Sequence, residues 1–342
     1  MVDYTQYKNK GLTGLANLGN TCYINSSIQI LSHIPELAIY VSYFLKENEN
    51  KSINDIFLKE WFDLYTLMWS KNVIISPNRF FKVIQNVSKE KDNNSFVGYD
   101  QNDSAEFFYF IVQSFHESLK DARDKKELFS NHLNAIHKNS DYYKFMKIKH
   151  KDDYSFIDAL FGTYVKIEYI DKETKRVLSS NFENFYIMDV AISHLSLDDC
   201  LKSHFSDEEM SHTLNNPYYD DKEKKYKDVL KRVNLYNEPP YLIIQLKRWN
   251  MNLKKNQRVI QYDPKGIHLD HFYHKNVPCK SKYELFGIIN HSGNVFGGHY
   301  FSYIKGFNGK WYEFNDTSVK EIPSSKLLTN KNYCFIYRRN KK

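Results

Sequence analysis

The sequence is poor in glycine and proline, with 12 and 8 among its 342 residues, and it lacks a long apolar run. This scarcity of turn formers excludes a collagen-like chain and a chain dominated by linkers. The N-terminus has no signal-peptide core. The longest apolar stretches, such as Leu242 to Ile244, fall far short of the about 20 residues of a membrane span. These absences predict a soluble protein without a membrane partner.

Cysteine is also scarce. Cys22, Cys200, Cys279 and Cys334 are far apart in the chain, and no Cys-x-x-Cys pair occurs. This spacing excludes a dense disulfide framework and the usual zinc-ribbon signature, and it favours a reducing intracellular compartment, the cytoplasm or the nucleus. Cys334 lies in a strand-like apolar run, Cys200 in an amphipathic helical pattern and Cys279 in a loop. Only Cys22 has an unusual setting.

The net charge is +7, but basic residues are interleaved with acidic ones, as in residues 222–232. A nucleic-acid module would gather them in one stripe beside a recognisable motif, so we expect a solvated basic surface and no nucleic-acid partner. Hydrophobic residues make up 42% of the chain, enough for a large core. The length fits one large domain with an insertion, or two sub-domains, as well as two separate domains.

Apolar residues recur at helical spacing in the first third of the chain. A helix is predicted after Ser52 as N-cap, a second with Pro77 at its first position, and a third from near Asp103. The pattern weakens over residues 120–153, where we expect a variable surface segment. Helices followed by strands indicate an α+β fold.

From residue 156 the apolar period becomes that of strands. The predicted strands are Tyr164–Ile170, Phe185–Val190, Tyr241–Leu246, Phe286–Ile289, Tyr300–Ile304, Trp311–Phe314 and Tyr333–Tyr337. A polar turn is expected at residues 171–175.

Cys22 is predicted to begin a helix that ends near His33, after a tight polar turn at residues 19–21. A thiol in the first helical turn meets the positive end of the helix dipole and free backbone N–H groups, which favour the nucleophilic thiolate. The same N–H groups, with the amide of Asn17 or Asn20, are candidates to stabilise an oxyanion. The alternative is a small buried residue that packs a helix start.

His299 is the candidate base. Two alternating runs flank residues 306–309, which predicts a hairpin that brings His299 opposite the segment starting at Asn315. Asn315 or Asp316 would then orient the imidazole so that it accepts the thiol proton. Gly297 and Gly298 leave room for a substrate to approach the backbone.

These segments resemble the ubiquitin-specific protease family of deubiquitinases. Its cysteine box is similar to residues 14–29, and its histidine box to His291, residues 297–300 and residues 311–316. Residues 99–108 resemble its QQDAxEFL stretch, with Asn102 in place of the second Gln. Residues 239–249 resemble its LPxxLxxxLKRF strand.

The resemblance implies a cysteine-type deubiquitinase that hydrolyses the bond at the C-terminal glycine of ubiquitin. Cys22 matches the nucleophile, His299 the general base and Asn315 the orienting third residue. Asp316 matches the acidic neighbour of that third residue, and Asn17 the oxyanion-hole asparagine.

The implied fold is papain-like, with a helical thumb over about residues 11–155 and β-rich fingers and palm over about residues 156–339. Residues 1–10 and 340–342 are expected to be terminal extensions, and the protein is expected to be a monomer that binds ubiquitin and ubiquitinated proteins. The implied tail-binding residues are Asp103, Glu106, His291, Gly297, Gly298 and Tyr300. Asp103 and Glu106 have simpler readings as a helix cap and a solvated helix face. His291 and the residues up to Gly298 are expected to form a loop beside the tail channel.

The sequence departs from the family pattern at the fingertips. Many members carry two Cys-x-x-Cys pairs there, whereas residues 169–172 and 218–222 offer no thiol, so no zinc or other cofactor is expected. His268, His271 and His274 are the weak alternative ligands. The rival functions are the same chemistry on another ubiquitin-like modifier and a non-catalytic ubiquitin-binding module.

Overall fold

The computed structural model describes residues 3–48, 52–120, 122, 125–134, 136, 140–150, 152–277, 281–294 and 297–340. Helices come first in the chain: α1 (Cys22–Ser32), α2 (Pro35–Glu47), α3 (Ile53–Ser70), α4 (Asn78–Glu90), α5 (Ser104–Leu119), α6 (Lys125–Asn134), α7 (Asp141–Lys149) and α8 (Phe156–Phe161). A short parallel pair, β1 (Gly14–Leu15) and β2 (Ile74–Ile75), lies among them, and α9 (Leu197–His204) lies among the later strands. This order confirms the α+β prediction.

The remaining strands form the palm and the fingers. Those of the fingers are β3 (Thr163–Asp171), β4 (Val177–Phe185), β6 (Glu208–Met210), β7 (Tyr218–Asp220), β8 (Lys225–Lys227) and β9 (Val229–Leu235). Those of the palm are β5 (Met188–Ala191), β10 (Tyr241–Lys247), β11 (Tyr283–Asn294), β12 (Gly297–Lys305), β13 (Trp311–Asn315), β14 (Ser318–Ile322) and β15 (Asn332–Arg339). The palm sheet has the order β14-β13-β12-β11-β15-β10-β5, and β4-β3-β9-β6 form a second sheet.

Helix α1 is buried along its whole length because it packs between α5 and the palm sheet. Two hydrogen bonds fix it on both sides. Ser302 Oγ on β12 donates to the carbonyl of Ser26 at 2.8 Å, and Ser27 Oγ donates to the carbonyl of Ser104 at 3.1 Å. The N-terminal end of α1 is thereby held between thumb and palm.

Local signals placed the thumb helices well. Ser52 forms a reciprocal capping box with Asp55, and Asp103 caps α5. The prediction for Pro77 was wrong by one position, since it is the N-cap of α4 and not its first residue. The predicted strand Phe185–Val190 is also wrong, because β4 ends at Phe185 and a separate strand, β5, begins at Met188.

The segment expected to be a variable surface is partly ordered core. Helices α6 and α7 lie there, and Tyr142 and Met146 are buried with Tyr154 and Tyr164. The Tyr142 ring packs edge-on against Tyr164 at 5.7 Å, so aromatic contacts with β3 order a segment whose own sequence is strongly charged. The order of this segment therefore depends on contacts with distant residues.

Cys200 and Cys334 are buried in α9 and β15 as their patterns predicted, whereas Cys279 lies outside the described residues. No single helix in the described part of the chain is long and apolar enough to cross a membrane. The pair α1 and α2 meets that test jointly on length and composition, with a bend of 86° between them.

Candidate active site

Cys22 is the first residue of α1, as predicted, and its side chain is buried. The turn before it uses left-handed backbone at Gly19 (φ 104°) and Asn20 (φ 54°). Thr21, the N-cap, makes no side-chain hydrogen bond to the first turn, so the N–H groups at this end of α1 remain available. Asn17 Oδ1 accepts hydrogen bonds from the N–H groups of Gly19 and Thr21 and thereby shapes the turn.

The predicted hairpin brings His299 to Asn315. Strands β12 and β13 pair with Ser302 opposite Phe314, and the turn occupies residues 306–309. Beyond the last pair, His299 Nε2 lies 2.7 Å from Asn315 Oδ1. Because the amide oxygen can only accept, Nε2 carries the proton and Nδ1 is left to exchange one with the thiol.

The charge state of His299 is set by its neighbours. Its pKa is raised to about 9, first by a side-chain hydrogen bond with Cys22, against the lowering effect of burial, and then by Asn315 and the charges of Cys22 and Asp316. The imidazolium is therefore favoured at neutral pH beside the sulfur of Cys22.

Asp316 does not contact the imidazole but holds two asparagines. Its carboxylate accepts from Asn17 Nδ2 at 2.9 Å and from Asn25 Nδ2 at 2.8 Å. An amide nitrogen has two N–H groups, so Asn17 keeps one for an oxyanion beside Cys22. Asn25 was missed in the sequence. It lies one helical turn after Cys22 and is buried, and a polar residue at such a position is a usable signal.

Gln101 closes the cleft from the thumb side. Its Nε2 donates to the carbonyl oxygen of Gly298, and its Oε1 accepts from the N–H of Gly298, both at 2.6 Å. Gln101 was not singled out from the sequence, although it stands within the QQD-like stretch. Gly298 must be glycine for a reason that the sequence did not reveal, since a Cβ there would lie 2.2 Å from His291 Nε2.

Asp103 is the N-cap of α5, which was the simpler of the two roles considered for it. One carboxylate oxygen accepts from the N–H groups of Ala105 and Glu106, and the other accepts from the hydroxyl groups of Tyr300 at 3.1 Å and Tyr333 at 2.6 Å. The bonds to Tyr300 on β12 and Tyr333 on β15 join the thumb to the palm sheet, and these residues are called the palm floor. Burial and the nearby Asp103 charge raise the pKa of Glu106. Contact of Asp103, Glu106, Gly297 or Tyr300 with a substrate tail stays a prediction.

The expectation of a loop at His291 is wrong. His291 lies within β11, where it pairs with Tyr300 on β12. Its side chain is buried against the Tyr300 ring at 4.6 Å. Lys255 contacts its Nδ1 at 2.9 Å. Lys255 was not identified from the sequence.

The fingertips contain an ion cluster and stacked rings over residues 169–171 and 218–227. Lys227 Nζ lies 3.0 Å from Asp220 and 3.6 Å from Asp171, and the rings of Tyr169 and Tyr218 stack at 4.7 Å. Across the described ranges, no three His, Cys, Asp or Glu side chains are grouped as metal ligands. This includes the proposed histidines: His274 is buried, while His268 and His271 are exposed.

A cavity of about 960 Å³ lies away from these residues. It is bounded by the α6–α7 segment and the start of β10, with Tyr142, Tyr236 and Pro240 among its lining residues. Cys22, His299 and Asn315 lie instead in the cleft between thumb and palm, where α1 meets β12 and β13.

A family model described as ubiquitin carboxyl-terminal hydrolase matches residues 13–337. The chain belongs to this family. Among curated relatives, a probable ubiquitin carboxyl-terminal hydrolase of Acanthamoeba polyphaga mimivirus is 25% identical, with 99% of this chain and 92% of the relative covered. Ubiquitin carboxyl-terminal hydrolase 2 of Rattus norvegicus is 28% identical over 96% of this chain, which spans 54% of that relative.

Solved structures share the fold. The SAGA deubiquitinating module of Ubp8 with Sgf11, Sus1 and Sgf73, bound to monoubiquitin, matches with a TM-score of 0.76 at 22% identity, covering 100% of this chain and 72% of that one. The same module bound to ubiquitin aldehyde matches with a TM-score of 0.73 at 22% identity, with the same coverage. The ubiquitin-specific protease fold expected from the sequence is thus confirmed.

Proposed function

We propose that the protein hydrolyses the peptide or isopeptide bond that follows the C-terminal glycine of ubiquitin, with Cys22, His299 and Asn315 as the catalytic residues. The observation that carries the proposal is the 2.7 Å contact of His299 Nε2 with Asn315 Oδ1, because it leaves the other ring nitrogen to Cys22 at the start of α1. Ubiquitin as substrate is supported by the names of the relatives and by the ubiquitin-bound structures of the same fold.

In the first half of the reaction, the Cys22 thiolate attacks the carbonyl carbon of the terminal glycine. The resulting oxyanion accepts hydrogen bonds from the free N–H of Asn17 and from backbone N–H groups at the start of α1. His299 then donates its Nδ1 proton to the leaving amine nitrogen as the C–N bond breaks. The products are a free amine and a thioester between ubiquitin and Cys22.

In the second half, His299 is neutral and its Nδ1 takes a proton from water. The hydroxide attacks the thioester carbonyl, the C–S bond breaks, and the sulfur leaves as a thiolate beside the imidazolium. The new carboxylic acid releases its proton to solvent, and ubiquitin departs with a terminal carboxylate. Asn315 keeps the Nε2 proton in place throughout, so one imidazole serves as acid and then as base.

Four widely spaced cysteines favour a reducing compartment, and the three described ones are free. We therefore place the enzyme inside the cell, in the cytoplasm or the nucleus. Immunofluorescence of the tagged full chain is the direct check, and an extracellular signal would contradict the placement.

Hydrolysis of a fluorogenic C-terminal amide of ubiquitin tests the proposal, alongside the corresponding amides of other ubiquitin-like modifiers. We expect turnover of the ubiquitin amide, and we expect it to exceed that of every other modifier. Preference for another modifier would assign the same chemistry to a different substrate. Binding of ubiquitin without turnover would identify a non-catalytic module.

A further inference from the structure

Lys255 places its ammonium on a histidine in the cleft. Its Nζ lies 2.9 Å from His291 Nδ1 and 2.6 Å from the His291 carbonyl oxygen. The Trp249 ring lies beneath the ammonium at 5.7 Å. No carboxylate of the described chain forms an ion pair with it, so His291 is its principal polar partner. Partial burial of a cation without a carboxylate partner costs free energy, which points to a role for Lys255.

The contact fixes the proton on His291. Burial, and then the charges of Lys255, His299 and Arg248, lower the pKa of His291 to about 4, so the ring is neutral at physiological pH. An ammonium can only donate, so Nδ1 must accept and the single ring proton must reside on Nε2. Lys255 therefore selects one of the two neutral tautomers.

The protonated nitrogen faces the catalytic strand. His291 Nε2 occupies the space that a side chain at position 298 would need, one residue before His299. Nε2 has no hydrogen-bond partner among the described residues, although the side chain is only 4% exposed. On the same floor, the hydroxyls of Tyr300 and Tyr333 are both committed to Asp103. The Nε2–H group is thus an uncommitted donor at the bottom of the cleft.

We propose that Lys255 is a positioning residue for substrate binding. It holds His291 as the Nε2–H tautomer, and that N–H donates to a main-chain carbonyl of the extended C-terminal segment of the substrate as the segment enters the cleft. This inference rests on the proposed function for its ligand, but the tautomer itself does not.

Replacement of Lys255 by methionine keeps the length of the side chain and removes the donor. His291 would then populate both tautomers, and the one with bare Nε2 would present a lone pair to a substrate carbonyl. Loss of one such hydrogen bond corresponds to an about fivefold to tenfold rise in KM, with kcat preserved because binding in the ground and transition states is affected alike. Lys255→Arg retains a permanent donor and should restore KM. Lys254→Met, at an exposed neighbour, is the control.

The pH dependence of KM offers a second test. Burial, followed by the charges of Arg248 and Lys331, lowers the pKa of Lys255 to about 8. Above that pH the neutral amine can accept as well as donate, so it no longer selects a tautomer. KM of the wild type for the ubiquitin amide should rise from about pH 7 to about pH 9, whereas KM of Lys255→Arg should stay flat. Equal profiles would overturn the proposal.

Nitrogen-15 NMR of the free enzyme separates this inference from the proposed function. We expect His291 Nδ1 to give the shift of a bare ring nitrogen and Nε2 that of a protonated one, with the two converging in Lys255→Met. The His291→Gln variant assigns the signals. A bare Nε2 in the wild type would refute the role of Lys255 whether or not the enzyme is active. An enzyme inactive on ubiquitin but with the expected shifts would instead refute only the substrate.

Discussion

Asp316→Asn is the most informative substitution at the active site because it changes one acceptor into a donor without changing shape. In the wild type, the two carboxylate oxygens accept from Asn17 at 2.9 Å and Asn25 at 2.8 Å. An amide has one acceptor for these two donors. Asn25 is buried whereas Asn17 is exposed, so the remaining oxygen should stay with Asn25. Asn17 Nδ2 then loses its acceptor at position 316.

The expected loss is in catalysis more than in stability. Removal of an oxyanion donor costs about 100-fold to 1,000-fold in kcat. Asn17 remains present and its Oδ1 still accepts from Gly19 and Thr21, but its amide nitrogen is no longer held at position 316, so we expect a smaller fall of about tenfold to 100-fold. Asp316 has a left-handed backbone with φ 49°, which asparagine tolerates. Asp316→Ala should be worse, because the buried Asn25 amide loses its shortest acceptor and keeps only the longer bonds to the carbonyl oxygens of Leu15 and Ala16, at a cost of up to about 1–3 kcal/mol, and because alanine strains the backbone.

Three measurements on the two variants check this reasoning. The first is kcat with a fluorogenic ubiquitin amide, the second is the free energy of unfolding, and the third is the rate at which iodoacetamide alkylates Cys22. Alkylation should change less than turnover, since the Asp316 charge is the last of the contributions that raise the pKa of His299. Wild-type turnover in Asp316→Asn would refute the account. An equal loss of alkylation and turnover would move Asp316 to the imidazole.

Cys22→Ala should abolish hydrolysis while calorimetry still detects ubiquitin binding, and residual turnover would disprove the assignment of the nucleophile. Activity should fall above about pH 9 as His299 loses the proton that its raised pKa retains. Asn315→Ala should shift this limb of the pH–rate profile to lower pH, because it removes one contact that raises the pKa of His299. An unshifted limb would argue against Asn315 as the orienting residue. EDTA should leave activity unchanged, whereas Lys227→Met should expose the fingertip to limited proteolysis, since the Lys227 ammonium joins the carboxylates of Asp171, Asp220 and Glu223 there. Stoichiometric zinc lost together with activity would contradict that view.

The predictable parts of the fold depend on neighbours in sequence. Helices α3 and α5 follow from apolar residues at helical spacing and from the caps Ser52 and Asp103. The contact of His299 with Asn315 follows from the turn at residues 306–309, because a short hairpin fixes the pairing of its own strands. Local chemistry was sufficient in each case.

The parts that escaped prediction depend on distant residues. Gln101 meets Gly298 across 197 positions, and Asp316 meets Asn25 across 291, so no local period reveals either contact. The fingertip strands β6, β7 and β8 are short and polar, and they form because partners are placed beside them. Resemblance to a family supplied the roles of the catalytic residues, but it did not reveal which side chains hold them.

The central claim is that Cys22 attacks the C-terminal carbonyl of ubiquitin, and one labelling experiment tests it most directly. A ubiquitin derivative with an electrophile in place of the terminal glycine is incubated with the wild-type protein, and the modified peptide is identified by mass spectrometry. We expect a single adduct at Cys22, reduced in His299→Ala. An adduct at Cys200 or Cys334, or no adduct while ubiquitin still binds, would contradict the claim.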